Sequence, residues 1–192
     1  MADLLANINL KKADGTVKKG SDALANKKVV ALYFSAHWCP QCRQFTPILK
    51  EFYEEVDDDQ FEIVFVSLDH SEEDLNNYVK ESHGNWYYVP FGSSEIEKLK
   101  NKYEVAGIPM LIVIKSDGNV ITKNGRADVS GKAPPQTLSS WLAAAYCGLN
   151  EIIYWYFYYH FLLFRIFKRI FLIISLSYLY GIRMEIFGSA FV

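Results

Sequence analysis

The sequence predicts an α/β fold, a mixed central sheet with helices on both faces, preceded by a β-hairpin and followed by an apolar C-terminal extension. Three observations carry that prediction. Val29–Ser35 and residues 61–68 are short apolar runs rich in β-branched and aromatic residues, as expected of buried strands. Between them, Phe45, Ile48, Leu49, Phe52, Tyr53 and Val56 recur at helical spacing and form one apolar stripe. Downstream, residues 110–114 and 120–122 flank Ser116-Asp117-Gly118-Asn119, a tight turn that makes them an antiparallel hairpin.

The elements follow in order. Residues 4–10 and 16–18 flank Ala13-Asp14-Gly15, and an Asp-Gly pair between extended segments predicts the N-terminal hairpin. The striped helix should run from about Cys39 to about Val56, kinked at Pro47, which supplies no N–H. Strand 61–68 is entered from the acidic loop 57–59. Ser71 with Asp74 signals a helix start ahead of Leu75, Tyr78 and Val79. Ser94 with Glu97 repeats the pattern ahead of Leu99 and Tyr103. Pro134-Pro135 precedes a last helix with Leu138, Trp141, Leu142 and Ala145 on one side. Strands separated by helices imply right-handed parallel crossovers, and the late hairpin adds antiparallel strands.

Composition excludes several classes. The chain has 192 residues, 51% of them apolar, with a formal net charge of -2. That is too apolar and too weakly charged for a disordered chain. It also offers no basic excess to neutralise phosphates, so a nucleic-acid partner is not expected. Three cysteines are too few for a disulfide-stapled scaffold. The start, Met-Ala-Asp-Leu-Leu-Ala-Asn, lacks the basic and long apolar regions of a secretory signal, so the expected setting is a reducing cytoplasm or nucleus.

The averages hide a break. Residues 1–150 carry 16 Lys/Arg and 20 Asp/Glu, whereas 151–192 carry 4 and 2, with 7 of the 13 Phe and 6 of the 13 Tyr. The expected organisation is a domain over 1–147 and a hydrophobic, aromatic-rich tail over 148–192. Within the tail, 152–164 and 170–182 are uncharged runs of 13 residues. Each spans roughly 20 Å as a helix, short of a ~30 Å bilayer core. Three readings stay open for 152–182: a membrane anchor or interfacial hairpin, translated A/T-rich sequence, or a segment that binds another protein.

The chemistry concentrates at Trp38-Cys39-Pro40-Gln41-Cys42. A C-x-x-C between a buried strand and a helix start places its first sulfur at unpaired N–H groups and the positive end of the helix dipole. A thiolate there is stabilised, and its pKa falls from about 8.5 towards roughly 3.5–7.5. Cys39 should be the exposed nucleophile and Cys42, one turn on and more buried, the resolving thiol. Pro40 suits the first helical position, where no N–H is needed. Trp38 is expected to pack over the dithiol and shape the surface a substrate meets, together with Pro40 and Gln41; plain core packing is its other reading. Two other readings of the pair are a zinc half-site and an inert turn. Zinc needs about four ligands; Cys147 stands alone, and His37, His70, His83 and His160 show no ligand spacing.

The segment 33–55, YFSAHWCPQCRQFTPILKEFYEE, resembles the thioredoxin superfamily, and within it the nucleoredoxin/tryparedoxin branch. Supporting stretches are VFVSLDHSEEDLNNYV at 64–79, VPFGSSEIEKLKNKYEVAGIPMLIVI at 89–114 and the Ser-Asp-Gly turn. The resemblance covers roughly residues 24–145, about three fifths of the chain. It implies a thioredoxin-like fold and dithiol–disulfide oxidoreductase activity on protein disulfides, through Cys39 and Cys42. It also implies a cis-proline loop at Gly107-Ile108-Pro109, with the Ile108 backbone free to pair with a substrate strand. The branch's alternative is a redox-sensing adaptor that binds signalling proteins without turnover.

Two departures from the family pattern matter. Gln41 stands where the branch carries a second proline, which adds an amide donor near the Cys39 sulfur. Tyr33 stands where thioredoxins carry a buried acid, so the proton acceptor for Cys42 must be another group, water or Tyr33 itself at high pH. His37 reads as a thiolate neighbour or a solvated loop residue, Arg43 as a source of positive potential or plain surface charge. Asp69-His70 reads as a site border or a turn. No metal, flavin or nucleotide motif is present, so no cofactor is expected, and electrons must come from an upstream dithiol or a thioredoxin-reductase-type donor.

Overall fold

The computed structural model describes residues 3–56 and 58–146. A one-turn helix, α1 (Asp3–Ala6), leads into the hairpin β1 (Asn9–Lys11) and β2 (Val17–Lys19), followed by α2 (Gly20–Ala23). Then come β3 (Val29–Ser35), α3 (Pro40–Val56), β4 (Phe61–Ser67), α4 (Glu72–Ser82), β5 (Tyr87–Tyr88) and α5 (Ser94–Lys102). The hairpin β6 (Met110–Lys115) and β7 (Val120–Thr122), α6 (Gly125–Gly131) and a helix over 134–146, α7, complete this part.

One seven-stranded sheet has the order β2-β1-β5-β4-β3-β6-β7. β3 runs parallel to β4, and β4 to β5. β6 is antiparallel to β3, and β7 to β6. Every residue of β3 and β4 is buried. Alternation along the strand then feeds two cores. Val29, Ala31 and Tyr33 face Phe45, Leu49 and Phe52 of α3, Leu75 and Tyr78 of α4 and Trp141 of α7. Val30, Leu32 and Phe34 join the core that holds Leu5, Leu24 and Leu99. This is the expected sheet with helices on both faces.

Several local expectations need correction. The first hairpin arm is helical at its start, because Leu5 is drawn into the second core. Ser93, not Ser94, caps α5, and its hydroxyl donates to Glu95 rather than accepting a helix N–H. Pro134 and Pro135 lie in the first turn of α7 rather than ahead of it. Ser71 caps α4 as expected, accepting the Asp74 N–H at 3.1 Å.

Among the described residues, no helix is long and apolar enough to cross a membrane. The chain divides into Met1–Tyr146 and Cys147–Val192. The second unit, and with it Cys147, His160 and the tail over 152–182, lies outside the described residues.

Candidate functional site

β3 ends at Ser35, and the chain turns through Ala36–Cys39 into α3 at Pro40. The turn closes with the Cys39 N–H donating to Ala36 O at 3.2 Å, and Arg43 N–H to Cys39 O at 3.1 Å. Cys39 and Cys42 form a disulfide with Cα atoms 5.2 Å apart. The Cys42 N–H points at the Cys39 sulfur from 3.3 Å. Upon reduction that donor faces a thiolate, which it and the helix N-terminus stabilise. Among the described residues this is the amide that reaches the sulfur; Gln41 does not supply the expected donor.

Cys42 is fully buried, as expected. Cys39 is less open than expected, 6% exposed, because its sulfur is bonded to Cys42 and lies 3.9 Å from the Ile108 carbonyl oxygen. Its sequence neighbours Trp38, Pro40 and Gln41 are all exposed. The Ile108–Pro109 peptide bond is cis, and the loop sits against the dithiol where the resemblance put it. Arg126 Nη1 donates to the Pro109 carbonyl at 3.1 Å, and its guanidinium lies over the Phe45 ring.

Trp38 is 51% exposed and is no core residue. Its indole N–H donates to Leu68 O at 3.1 Å, and it stacks on His70 with centroids 5.6 Å apart. Trp38 lines an open cavity of about 620 Å³ with Leu68, His70, Phe91 and Ile96. A second, of about 490 Å³, includes Gly107, Pro109, Lys123 and Arg126. One cavity thus holds the residue before Cys39, and the other holds the cis proline.

The bordering residues have defined jobs. The Asp69 carboxylate accepts the His37 N–H at 2.7 Å and the Ser67 hydroxyl at 2.7 Å, which ties the turn after β4 to the turn after β3. Burial raises its pKa, while the Ser67 hydrogen bond works the other way. The His37 ring stacks on Tyr78 and lies 3.3 Å from Glu81, so it is braced by α4 while a quarter of its side chain stays exposed. Arg43 is exposed.

Under the dithiol, the Tyr33 hydroxyl lies 2.8 Å from Thr46 Oγ1 and 3.4 Å from Cys42 O. Burial, with Tyr78 adding to it, pushes its pKa far above the tyrosine range. That argues for water rather than Tyr33 as the acceptor of the Cys42 proton near neutral pH. The sequence reading missed the role of Thr46, Tyr78 and Arg126. Only Thr46 left a signal, since it follows Cys42 by four residues on one helix face. Among the described residues, no group of three or more His, Cys, Asp or Glu could hold a metal ion.

These features define a thioredoxin-like fold with a Cys39–Cys42 pair at the start of α3, and comparison with known proteins agrees. The family model described as Thioredoxin-like matches residues 26–120. The chain is 40% identical over 129 residues to a nucleoredoxin of Danio rerio, covering 66% of this chain and 28% of that protein. It is 97% identical to a thioredoxin of Wuchereria bancrofti of known crystal structure, TM-score 0.66, covering 74% of this chain and 99% of that one. With tryparedoxin I of Leishmania major it shares 38% identity and a TM-score of 0.59, covering 65% of this chain and 85% of that one. The chain belongs to the thioredoxin superfamily, in its nucleoredoxin/tryparedoxin-like branch. It spans about a quarter of the length of the nucleoredoxins it matches.

Proposed function

We propose that the chain reduces protein disulfides, with Cys39 as nucleophile and Cys42 as resolving thiol. One observation supports this above the others: the sulfur of Cys39 meets the Cys42 N–H on one side and the Ile108 carbonyl of the cis-proline loop on the other. The first step is attack by the Cys39 thiolate on a partner disulfide. A Cys39–partner bond forms, the partner's S–S bond breaks, and its first sulfur leaves as a thiolate. In the second step Cys42, having lost its proton, attacks the Cys39 sulfur. The Cys39–Cys42 bond forms, and the partner's second sulfur leaves and takes up a proton. The partner gains two electrons, and an upstream dithiol returns this chain to the reduced form. Intramolecular attack keeps the mixed disulfide short-lived.

Trp38, Pro40, Gln41, Ile108 and Pro109 form the substrate side in this reading, with Ile108 offering its backbone to an extended partner segment. The working compartment is the cytoplasm or nucleus. The test is a Cys42→Ser variant of the full chain, incubated in reduced form with a disulfide-bonded protein such as insulin. A mixed disulfide through Cys39 should accumulate, and the parent chain should turn over with a dithiol donor. Absence of any adduct overturns the assignment. Stoichiometric adduct without turnover of the parent turns it into the redox-sensing adaptor.

A further inference from the structure

The resolving cysteine is anchored by hydroxyl groups. Ser35 and Tyr33 of β3, Thr46 of α3 and Tyr78 of α4 form a cluster buried against the first turn of α3. Each has one proton, and the one partner that cannot donate, the Cys42 carbonyl, sets their order. Thr46 Oγ1 donates to the Cys42 carbonyl at 2.9 Å, which can only accept. Having spent its proton, Thr46 Oγ1 accepts from Tyr33 OH at 2.8 Å and from Tyr78 OH. Ser35 Oγ therefore donates to Tyr78 OH at 3.0 Å. The donors converge on one carbonyl oxygen, through Thr46 and, at 3.4 Å, directly from Tyr33 OH.

Cys42 sits where the helix needs such an anchor. Pro47 has no N–H for the carbonyl of Arg43, the residue after Cys42, so the first turn lacks one ladder bond. Among the described residues, no carboxylate joins the cluster. Tyr78 also stacks on His37, two residues before Cys39, so the cluster connects the two cysteines' supports across α4. A buried hydroxyl chain of this kind rigidifies what it holds.

We infer that Thr46 is the positioning residue for the resolving step: its bond to the Cys42 carbonyl holds the second sulfur in line with the Cys39–partner bond. This rests on the reading of Cys42 as the resolving thiol. A small misplacement of an attacking group slows an intramolecular displacement strongly, while the first step, carried by Cys39 alone, is untouched.

The experiment uses the reduced full chain with insulin as probe. Two quantities are read: the pH profile of Cys39 alkylation by iodoacetamide, and the lifetime of the Cys39–insulin mixed disulfide under rapid acid quench. Thr46→Val keeps the side-chain shape and deletes the hydroxyl. It should lengthen the lifetime about tenfold, the effect of roughly one buried hydrogen bond, and leave the alkylation profile unchanged. Thr46→Ser should restore the parent lifetime. An unchanged lifetime in Thr46→Val overturns the inference, as does a Thr46→Ser variant as slow as Thr46→Val. If Thr46→Val fails to fold, Tyr78→Phe decides: it keeps the ring on His37 and removes one donor to Thr46, so the lifetime should lengthen, and a parent-like lifetime overturns the inference. Failure of Cys42→Ser to form any adduct would instead remove the reading beneath it.

Discussion

Trp38 lies flat on His70, with ring planes 6° from parallel, while its indole N–H is fixed to the carbonyl of Leu68. An aromatic half exposed and yet held at two points loses little entropy when a partner covers it. Trp38→Ala should therefore raise KM for protein disulfides, by about tenfold if it acts as an interface anchor, and leave the alkylation rate of Cys39 unchanged. Because the ring is half exposed, the unfolding midpoint should barely move. Parallel loss of kcat and of alkylation rate would assign Trp38 to the chemistry instead.

The reduced Cys39 thiol faces the Cys42 amide at the start of α3. Iodoacetamide alkylation of the reduced protein should titrate with a midpoint below about 8.5, within roughly 3.5–7.5. The order of the two cysteines follows from burial, 6% exposure for Cys39 and none for Cys42. Peptide mapping after brief treatment should find the label on Cys39. A midpoint at or above that of a free thiol would mean the helix start does not stabilise the sulfur.

Much of this was legible because its signals are local. The seven-residue apolar run predicted β3 to the residue, since a strand buried on both faces carries no polar interruption. The stripe from Phe45 to Val56 gave α3 for the matching reason. The missed elements have nothing periodic to show. α1 and α2 are four residues each and β5 is two, held in place by pairing with β1 and β4. α6, Gly-Arg-Ala-Asp-Val-Ser-Gly, has no apolar stripe. At the site, Cys39, Cys42 and Pro109 stood out through sequence motifs. Tyr78 reaches Thr46 across 32 residues, and Arg126 reaches Pro109 across 17. Contacts of that kind are made by the folded chain and leave no mark in either segment alone.

Gly20 packs against α1 so closely that an added Cβ would lie 1.8 Å from the carbonyl oxygen of Leu5. Its N–H also donates to Ile8 O at 2.8 Å, which pins the end of β2 to the N-terminal segment. The clash is with backbone, so no side chain can swing aside. Gly20→Ala should cost on the order of 2–4 kcal/mol in urea unfolding, with Leu5 pushed out of the second core. Gly131→Ala, where nothing lies within 4 Å of the new methyl, is the control and should stay within about 0.5 kcal/mol of the parent. Equal stability of the two variants would show that the Leu5 contact is not made in solution.

His83 is the last buried group with a consequence for pH. Its Nδ1 accepts the Trp86 indole N–H at 3.1 Å, so the neutral ring carries its proton on Nε2, which has no partner among the described residues. Phe65 and Tyr78 enclose it edge-on, 4.3 and 4.5 Å away by ring centroid. Burial pushes its pKa from 6.5 down to about 3. Below pH 6.5 the unfolded chain binds a proton that the folded chain refuses, so stability falls as the pH falls, through the window from about 6.5 to about 3. The slope from this group is about 1.4 kcal/mol per pH unit, the value for one proton. Glu62, whose carboxyl burial raises, opposes that slope in its own range and is common to every variant compared. Urea unfolding at pH 4, 5, 6 and 7 should show His83→Phe less stable than the parent at pH 7, having lost the acceptor for Trp86. Its loss of stability on acidification should be shallower by about one proton's worth. Parallel curves for parent and variant would mean that His83 is protonated in the folded protein and that the ring is not sealed from water.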